Sequence, residues 1–379
     1  DRMDGLVPLY LAELQMRSGE IDRAINTLES FRAVSADRRE LVLFRLGGIY
    51  LESGQWALAD ERLDTFLSEY GGSRYYGEGS YLRAYTLYQQ AKYEEGLELI
   101  GDVLRNARAG GYTPRLLRLQ SILYKNAGDL ESAAATLREY IPLAPDDNQA
   151  KMDLIKLLFR IKDHDAVIAE TARLSGEPPF SDPRSPFFLL TQYMLGLSHI
   201  VNKEYQSAAA ALDQITPEAV SGADLELILP YALFYRGWAY YRNGNYESGE
   251  ENFARLIETA PGHELQPRSA YLAGWCAFIQ GDYEQAEGYL DGIAGSAEEA
   301  LQIKAAFMKA KSLASQGRHD EAALLFEGIY LDNRNTDFAD DALFEFAGSL
   351  SKLGKIDESV ATYRSVFEEF AAASPLSEE

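Results

Sequence analysis

Cysteine is nearly absent from this chain of 379 residues: Cys276 stands alone, so no internal disulfide can hold the fold. Histidine is almost as scarce, with four residues scattered at 164, 199, 263 and 319, and no pair has the spacing of metal ligands. His164 and His319 occupy positions filled by Tyr or Leu in equivalent stretches, which predicts packing roles. No HExxH, Cys-x-x-Cys, calcium-loop or GxxxxGK[ST] pattern occurs, so neither a metal nor a nucleotide cofactor is expected. Basic residues are outnumbered, 36 against 59 acidic, for a formal charge of −23. Such a surface repels phosphate backbones and excludes nucleic acid as the expected partner. No apolar run reaches the roughly 18 residues of a membrane span. The first residues, Asp-Arg-Met-Asp, carry no basic and apolar leader, so any targeting segment is expected to have been removed or to lie outside these residues.

What the chain does have is a repeated pair of small residues twelve positions apart: Ala12/Ala24, Gly47/Ala59, Ala84/Gly96, Ser121/Ala133, Gly196/Ala208, Gly237/Gly249, Gly274/Ala286, Ala310/Ala322 and Ala347/Ser359. Between the members lies a short break, as in Gly54-Gln55-Trp56, Gly244-Asn245-Tyr246 and Gly281-Asp282-Tyr283. Glycine there takes the left-handed conformation that ends a helix, and a following Asp or Asn caps the next. Breaks at 19, 54, 91, 128, 162, 203, 244, 281, 317 and 354 are separated by 34 to 41 residues, the period of a helix-pair repeat. Apolar residues such as Leu43, Leu46 and Tyr50, then Leu63 and Phe66, recur at helical spacing. Prolines 145, 217 and 261 read as stops for second helices. Nothing reads as strand. Glycine inside a helix costs about 1 kcal/mol relative to alanine, so Gly47, Gly196, Gly237 and Gly274 need a packing reason. Close approach of the two helix backbones supplies one.

These features resemble the tetratricopeptide repeat family, whose small residue, Gly-x-Tyr turn, second small residue and terminal proline match Gly237, Gly244-Asn245-Tyr246, Gly249 and Pro261. The resemblance covers residues 5 to about 371. It implies an all-α fold, a right-handed superhelix of about ten helix-turn-helix repeats. Units of 36 or 37 residues with aromatic-rich second helices, such as Leu63, Phe66 and Tyr70 or Tyr363, Phe367 and Phe370, resemble the variant in bacterial outer-membrane-assembly and cell-division lipoproteins. That likeness implies a periplasmic or envelope setting, beside membrane-anchored partners; the cytoplasm is the alternative. The fifth unit departs from the pattern, with Ile155 and Val167 at the small positions. After it comes the proline-rich stretch 175–186, Ser-Gly-Glu-Pro-Pro-Phe-Ser-Asp-Pro-Arg-Ser-Pro. The expected organisation is therefore an array over 1–174, a connecting loop over 175–186 that is either a hinge or an insertion, a second array over 187–371, and a tail over 372–379. A second lengthened connection is expected from Ile215 to Leu225.

In this family the first helix of each unit lines the concave face, which implies that large side chains one turn apart on it meet a bound protein or peptide segment. By spacing these are Tyr81, Tyr85 and Tyr88 in the third unit, Tyr231, Phe234, Trp238 and Tyr241 in the seventh, and Tyr271, Trp275 and Phe278 in the eighth. Phe307, Phe344 and Tyr193 extend the line but read more readily as core, whereas Trp238 and Trp275 occupy equivalent positions in adjacent units and read as groove. A basic patch on the same helices comprises Arg115, Arg118 and Lys125, with no acidic residue between 113 and 128, and Lys156 with Arg160. It either receives an acidic segment or a terminal carboxylate, or pairs with the chain's own carboxylates. The leading expectation is a non-enzymatic scaffold that binds a protein or peptide. A carrier of a small apolar ligand in an aromatic pocket is the second reading, and an enzyme with a site assembled from distant units the third.

Overall fold

The ten breaks set the fold. In a computed structural model of the chain, which describes residues 6–32, 38–293, 298–334 and 338–370, glycines 19, 54, 128, 244, 281, 317 and 354 all adopt positive φ, between 74° and 89°. Where the sequence has no glycine at the break, Ala91, Lys162 and Lys203 take the same left-handed turn at φ 57°, 63° and 63°. A side chain there costs more than a glycine would. Lys203→Gly is accordingly expected to stabilise the fold by about 0.5 kcal/mol after the added freedom of the unfolded chain is subtracted, and so to raise the melting temperature; a thermal melt of the two proteins checks it.

The chain divides into two compact units, Asp1–Ala166 and Val167–Glu379. The first holds α1 (Val7–Arg17), α2 (Ile21–Arg32), α3 (Arg39–Glu52), α4 (Trp56–Glu69), α5 (Tyr76–Gln89), α6 (Tyr93–Arg105), α7 (Thr113–Ala127), α8 (Leu130–Tyr140) and α9 (Asn148–Arg160). The division falls within α10 (His164–Leu174). The second unit continues with α11 (Pro186–Val201), α12 (Tyr205–Leu212), α13 (Pro217–Gly222), α14 (Leu229–Arg242), α15 (Tyr246–Thr259), α16 (Gln266–Gln280), α17 (Tyr283–Asp291), α18 (Glu299–Ser315), α19 (His319–Asp332), α20 (Ala339–Lys352) and α21 (Ile356–Phe370). In each unit consecutive helices pack as pairs, and each pair packs on the next. The described residues form helices and turns only, an all-α fold of stacked helical hairpins. Polar caps start several second helices: Asp129 accepts from the Ser132 N–H at 2.9 Å, Asn245 from Ser248 at 3.2 Å and Asp282 from Gln285 at 3.2 Å.

The paired small residues are buried throughout, from Ala12 and Ala24 to Ala347 and Ser359. Their role is more specific than backbone approach. A Cβ placed on Gly47 would stand 2.4 Å from Leu63 Cγ, one on Gly196 2.5 Å from Leu212 Cγ, one on Gly237 2.9 Å from Phe253 Cε1 and one on Gly274 2.9 Å from Leu290 Cγ. In all four units the glycine makes room for the large residue one turn beyond the second small position. Backbone approach adds to this at Gly237, where the Gly249 carbonyl would lie 3.1 Å away. Ile155 and Val167, which break the pattern, are both fully buried.

Two connections differ from a plain loop. Pro217 does not end a helix: with Thr216 accepting the Ala219 N–H at 3.2 Å, it opens the short helix α13, whose Val220 is buried. A missing N–H costs nothing in a first helical turn, which is why proline starts a helix as readily as it stops one. In the proline-rich stretch Phe180 is buried and its ring meets Phe187 edge-on at 5.5 Å, while Ser185 caps α11 by accepting from the Phe187 N–H. The expected tail over 372–379 lies outside the described residues.

Candidate functional site

Helix α16 buries only small side chains, Ser269, Ala270, Ala273, Gly274, Cys276 and Ala277. Its large residues are thereby left on a half-buried face, with Tyr271, Trp275 and Phe278 one turn apart. Helix α18, the first helix of the next pair, packs directly on α16 and presents Lys304, Phe307, Met308 and Lys311. Phe338, just ahead of α20, closes the end. Together these eight residues line a cleft of about 310 Å³. The Tyr271 and Trp275 rings stand 6.3 Å apart, and Phe307 lies 6.4 Å from Phe338 and 5.5 Å from the fully buried Phe326. Burial raises the Tyr271 phenol above its ordinary range, keeping it a neutral wall. Lys311 sits 5.8 Å from the Phe307 ring centre and 3.2 Å from Glu345. Lys304 is exposed and makes no ion pair with a described residue.

The cleft unites Tyr271, Trp275, Phe278 and Phe307, and adds Lys304, Met308, Lys311 and Phe338. The two lysines stand at −3 and +4 from Phe307 on one helix, so helical spacing alone could have pointed to them; Phe338 arrives from a connection and left no periodic signal. The other ring clusters are elsewhere. On α14, Tyr231 donates to Glu264 at 2.7 Å and meets His263 edge-on, Phe234 leans on buried Phe253, and Trp238 lies between Tyr241 at 5.6 Å and the Arg242 guanidinium at 5.5 Å. None of the four lines the cleft. In the first unit Tyr81, Tyr85 and Tyr88 form a half-buried row with centroids 6.4 and 6.0 Å apart, against a core containing Ala84, Ile100 and Leu116. Phe344 is 54% exposed, far from the core position expected of it, and meets Tyr363 at 5.2 Å. Tyr193 is half-buried, its phenol driven up by burial.

Of the expected basic patch, Arg118 has acidic partners within the first unit. Arg118 pairs with Asp153 at 2.6 Å and reaches Asp147 at 3.8 Å, so its charge serves the first unit's own packing. Arg115 lies over the Tyr112 ring at 5.2 Å. Lys125, Lys156 and Arg160 are exposed. Cys276 is fully buried, and burial together with Glu250 pushes its thiol up to about 12, so it remains protonated at neutral pH. Among the described residues no group of three or more His, Cys, Asp or Glu side chains is placed to hold a metal ion, and no helix is long and apolar enough to cross a membrane.

Comparison with known proteins places this architecture. Two family profiles described as Tetratricopeptide repeat match, one over residues 81–148 and 232–300, the other over 41–73. No curated protein matches the sequence significantly. Among solved structures, the C-terminal part of a repeat-containing protein from Cytophaga hutchinsonii is similar at 16% identity and TM-score 0.50, covering 69% of this chain and 99% of that one. A chain of the Naa15/Naa10 assembly bound to HypK-THB is similar at 15% identity and TM-score 0.51, covering 88% of this chain and 52% of its own length. MamA shows 19% identity and TM-score 0.40 over 48% of this chain and 91% of its own. At these identities the likeness is one of fold.

Proposed function

The chain is a tetratricopeptide repeat protein, and from that premise we propose that it is a non-enzymatic scaffold whose α16–α18 cleft receives a segment of a partner protein. The observation that carries the reading is the pairing of an aromatic cleft of about 310 Å³ with two lysines, Lys304 and Lys311, on its rim. Rings offer large contact area at small entropic cost, and Trp and Tyr are enriched among binding hot spots. The occupant that fits is an aromatic or large aliphatic side chain beside an Asp or Glu: the ring enters between Trp275 and Phe307, and the carboxylate meets Lys304.

Selection of a random displayed peptide library on the whole chain tests this. Enriched peptides should carry an apolar residue next to an acidic one, and Trp275→Ala should weaken them roughly tenfold or more. Lys304→Glu should weaken them less and remove the salt dependence. Equal capture by Trp275→Ala would sink the proposal. A small apolar molecule that binds this cleft while no peptide does would transfer the site to the carrier reading, which its size, at the low end for ligand pockets, also suits.

We further propose a bacterial envelope setting, beside membrane-anchored partners. The 36- and 37-residue units and the aromatic second helices with Phe66 and Tyr70, or Tyr363 and Phe367, support it by their resemblance to envelope lipoproteins. Fractionation of the source cells tests it, and recovery in the cytoplasm alone would remove it.

A further inference from the structure

In the first unit the connections between repeats place three arginines around one cleft of about 510 Å³: Arg74 ahead of α5, Arg108 within the connection into α7, and Arg115 in the first turn of α7. The cause is local. Gly77, in the first turn of α5, presents only hydrogen to the 107–112 connection; a Cβ there would stand 2.2 Å from the Ala109 carbonyl oxygen. The connection therefore closes onto α5, buries Ala109, and carries Arg108 and Arg115 up beside Arg74. Gly110 and Gly111 line the same cleft, with open space where their side chains would be.

Each guanidinium is laid on a ring: Arg74 over Tyr75 at 4.6 Å, Arg108 over Tyr76 at 5.6 Å and Arg115 over Tyr112 at 5.2 Å. A guanidinium held over a ring can still donate from its N–H edges; Arg74 spends one such donor on the Tyr75 hydroxyl. None of the three makes an ion pair with a described residue. Several other arginines of the first unit are paired. Arg39 pairs with Glu69, Arg62 with Glu29, Arg83 with Asp60 and Arg118 with Asp153. The nearest carboxylate on α5, Glu78, takes the Tyr112 hydroxyl and lines a separate cleft with α1 and α3. In a chain of charge −23, three adjacent guanidiniums without acidic partners mark a site for an anion from outside.

We propose that this cleft binds the phosphoryl group of a phosphorylated side chain on a partner protein. One carboxylate, with two oxygens, is satisfied by one arginine fork; three guanidiniums lining one cleft match the dianionic charge and three acceptor oxygens of a phosphate monoester. The cleft shares Ser73 and Arg74 with a second one of about 630 Å³ that runs on past Tyr70 to Arg38. A cleft extended along two successive connections suits a length of chain. An anionic bilayer is disfavoured, because Glu40 and Glu69 line that second cleft and the chain as a whole is acidic. The proposal uses no residue of the α16–α18 cleft and stands independently of it.

The test uses the whole chain and a peptide library with a fixed phosphoserine in randomised flanks, the same library after phosphatase treatment, inorganic phosphate, and phosphatidylcholine vesicles containing phosphatidic acid. The phosphorylated library should be captured in preference to the dephosphorylated one. Capture should fall roughly tenfold or more for Arg108→Ala/Arg115→Ala, charge-assisted hydrogen bonds being the strong ones, with circular dichroism and melting unchanged because both side chains are exposed. Arg108→Lys/Arg115→Lys, which keeps charge without the fork, should recover only part. Equal capture of both libraries, full capture by the double alanine variant, binding of inorganic phosphate without phosphopeptide, or binding to vesicles without phosphopeptide would each overturn the proposal.

Discussion

Gly47→Ala is expected to destabilise the chain by about 1–3 kcal/mol, and to become neutral or mildly stabilising when Leu63 is also alanine. Leu63 is fully buried, and the three atoms nearest the added Cβ all belong to it, Cγ at 2.4 Å, Cδ2 at 2.5 Å and Cδ1 at 3.2 Å. Leu63→Ala alone should cost about 2–5 kcal/mol for the lost burial and the cavity. That cavity then accepts the Gly47 methyl. With the clash gone, alanine's better helix propensity, worth about 1 kcal/mol over glycine, sets the sign. If the glycine served backbone approach instead, its replacement would cost the same in both backgrounds, and equal penalties in denaturant melts would refute the side-chain account. Gly237 supplies the internal contrast: the Gly249 carbonyl lies 3.1 Å from its would-be Cβ, so part of the Gly237→Ala penalty should survive Phe253→Ala.

This contrast also marks how far the sequence can be read. The small-residue pairs, the turn glycines and the caps are local signals, and the structure places helix ends where they call for them, even at Ala91, Lys162 and Lys203, which lack the glycine. Which neighbour a small residue makes room for depends on how two helices cross, and the twelve-residue spacing pointed to Ala59 when Leu63 is the contact. The same limit governs charge. The stretch 113–128 carries no acidic residue, yet Arg118 is neutralised by Asp153, 35 positions on and one repeat away. Trp275 and Phe278 were legible as a ring face by helical spacing. Phe338 was not, because it enters the cleft from a connection whose path no periodicity encodes. The arginine cleft meets the same limit: Arg74 and Arg108 lie 34 positions apart where the breaks at 54 and 91 set a repeat of 37, so repeat register does not align them, and their place on one cleft depends on the 2.2 Å constraint at Gly77.

Asp147→Ala should remove about 2 kcal/mol of stability at neutral pH, and the deficit should vanish in acid. One carboxyl group here does three things. It caps α9 by accepting the Ala150 N–H at 2.9 Å, it accepts the Tyr140 hydroxyl at 2.8 Å, and it lies 3.8 Å from the Arg118 guanidinium. Burial opposes its ionisation, but the Ala150 N–H, the Tyr140 hydroxyl and Arg118 together outweigh burial and hold it below the ordinary carboxylate range. The same contact, with burial as the larger cause, pushes the Tyr140 phenol up to about 12. Because the folded carboxyl titrates below the unfolded one, its contribution is complete above the unfolded value, about 3.9, and is lost as the pH falls through the folded value. Melting temperatures of Asp147→Ala and the unchanged chain should therefore differ most near neutrality and converge in acid. Asp147→Asn keeps a capping oxygen and should lose less than alanine. Arg118→Ala should destabilise too, and less than additively with Asp147→Ala, since both belong to one network with Asp153. A constant Asp147→Ala deficit across the acid range would show that its charge contributes nothing, and a fully stable Arg118→Ala would return Arg118 to the pool of free surface cations.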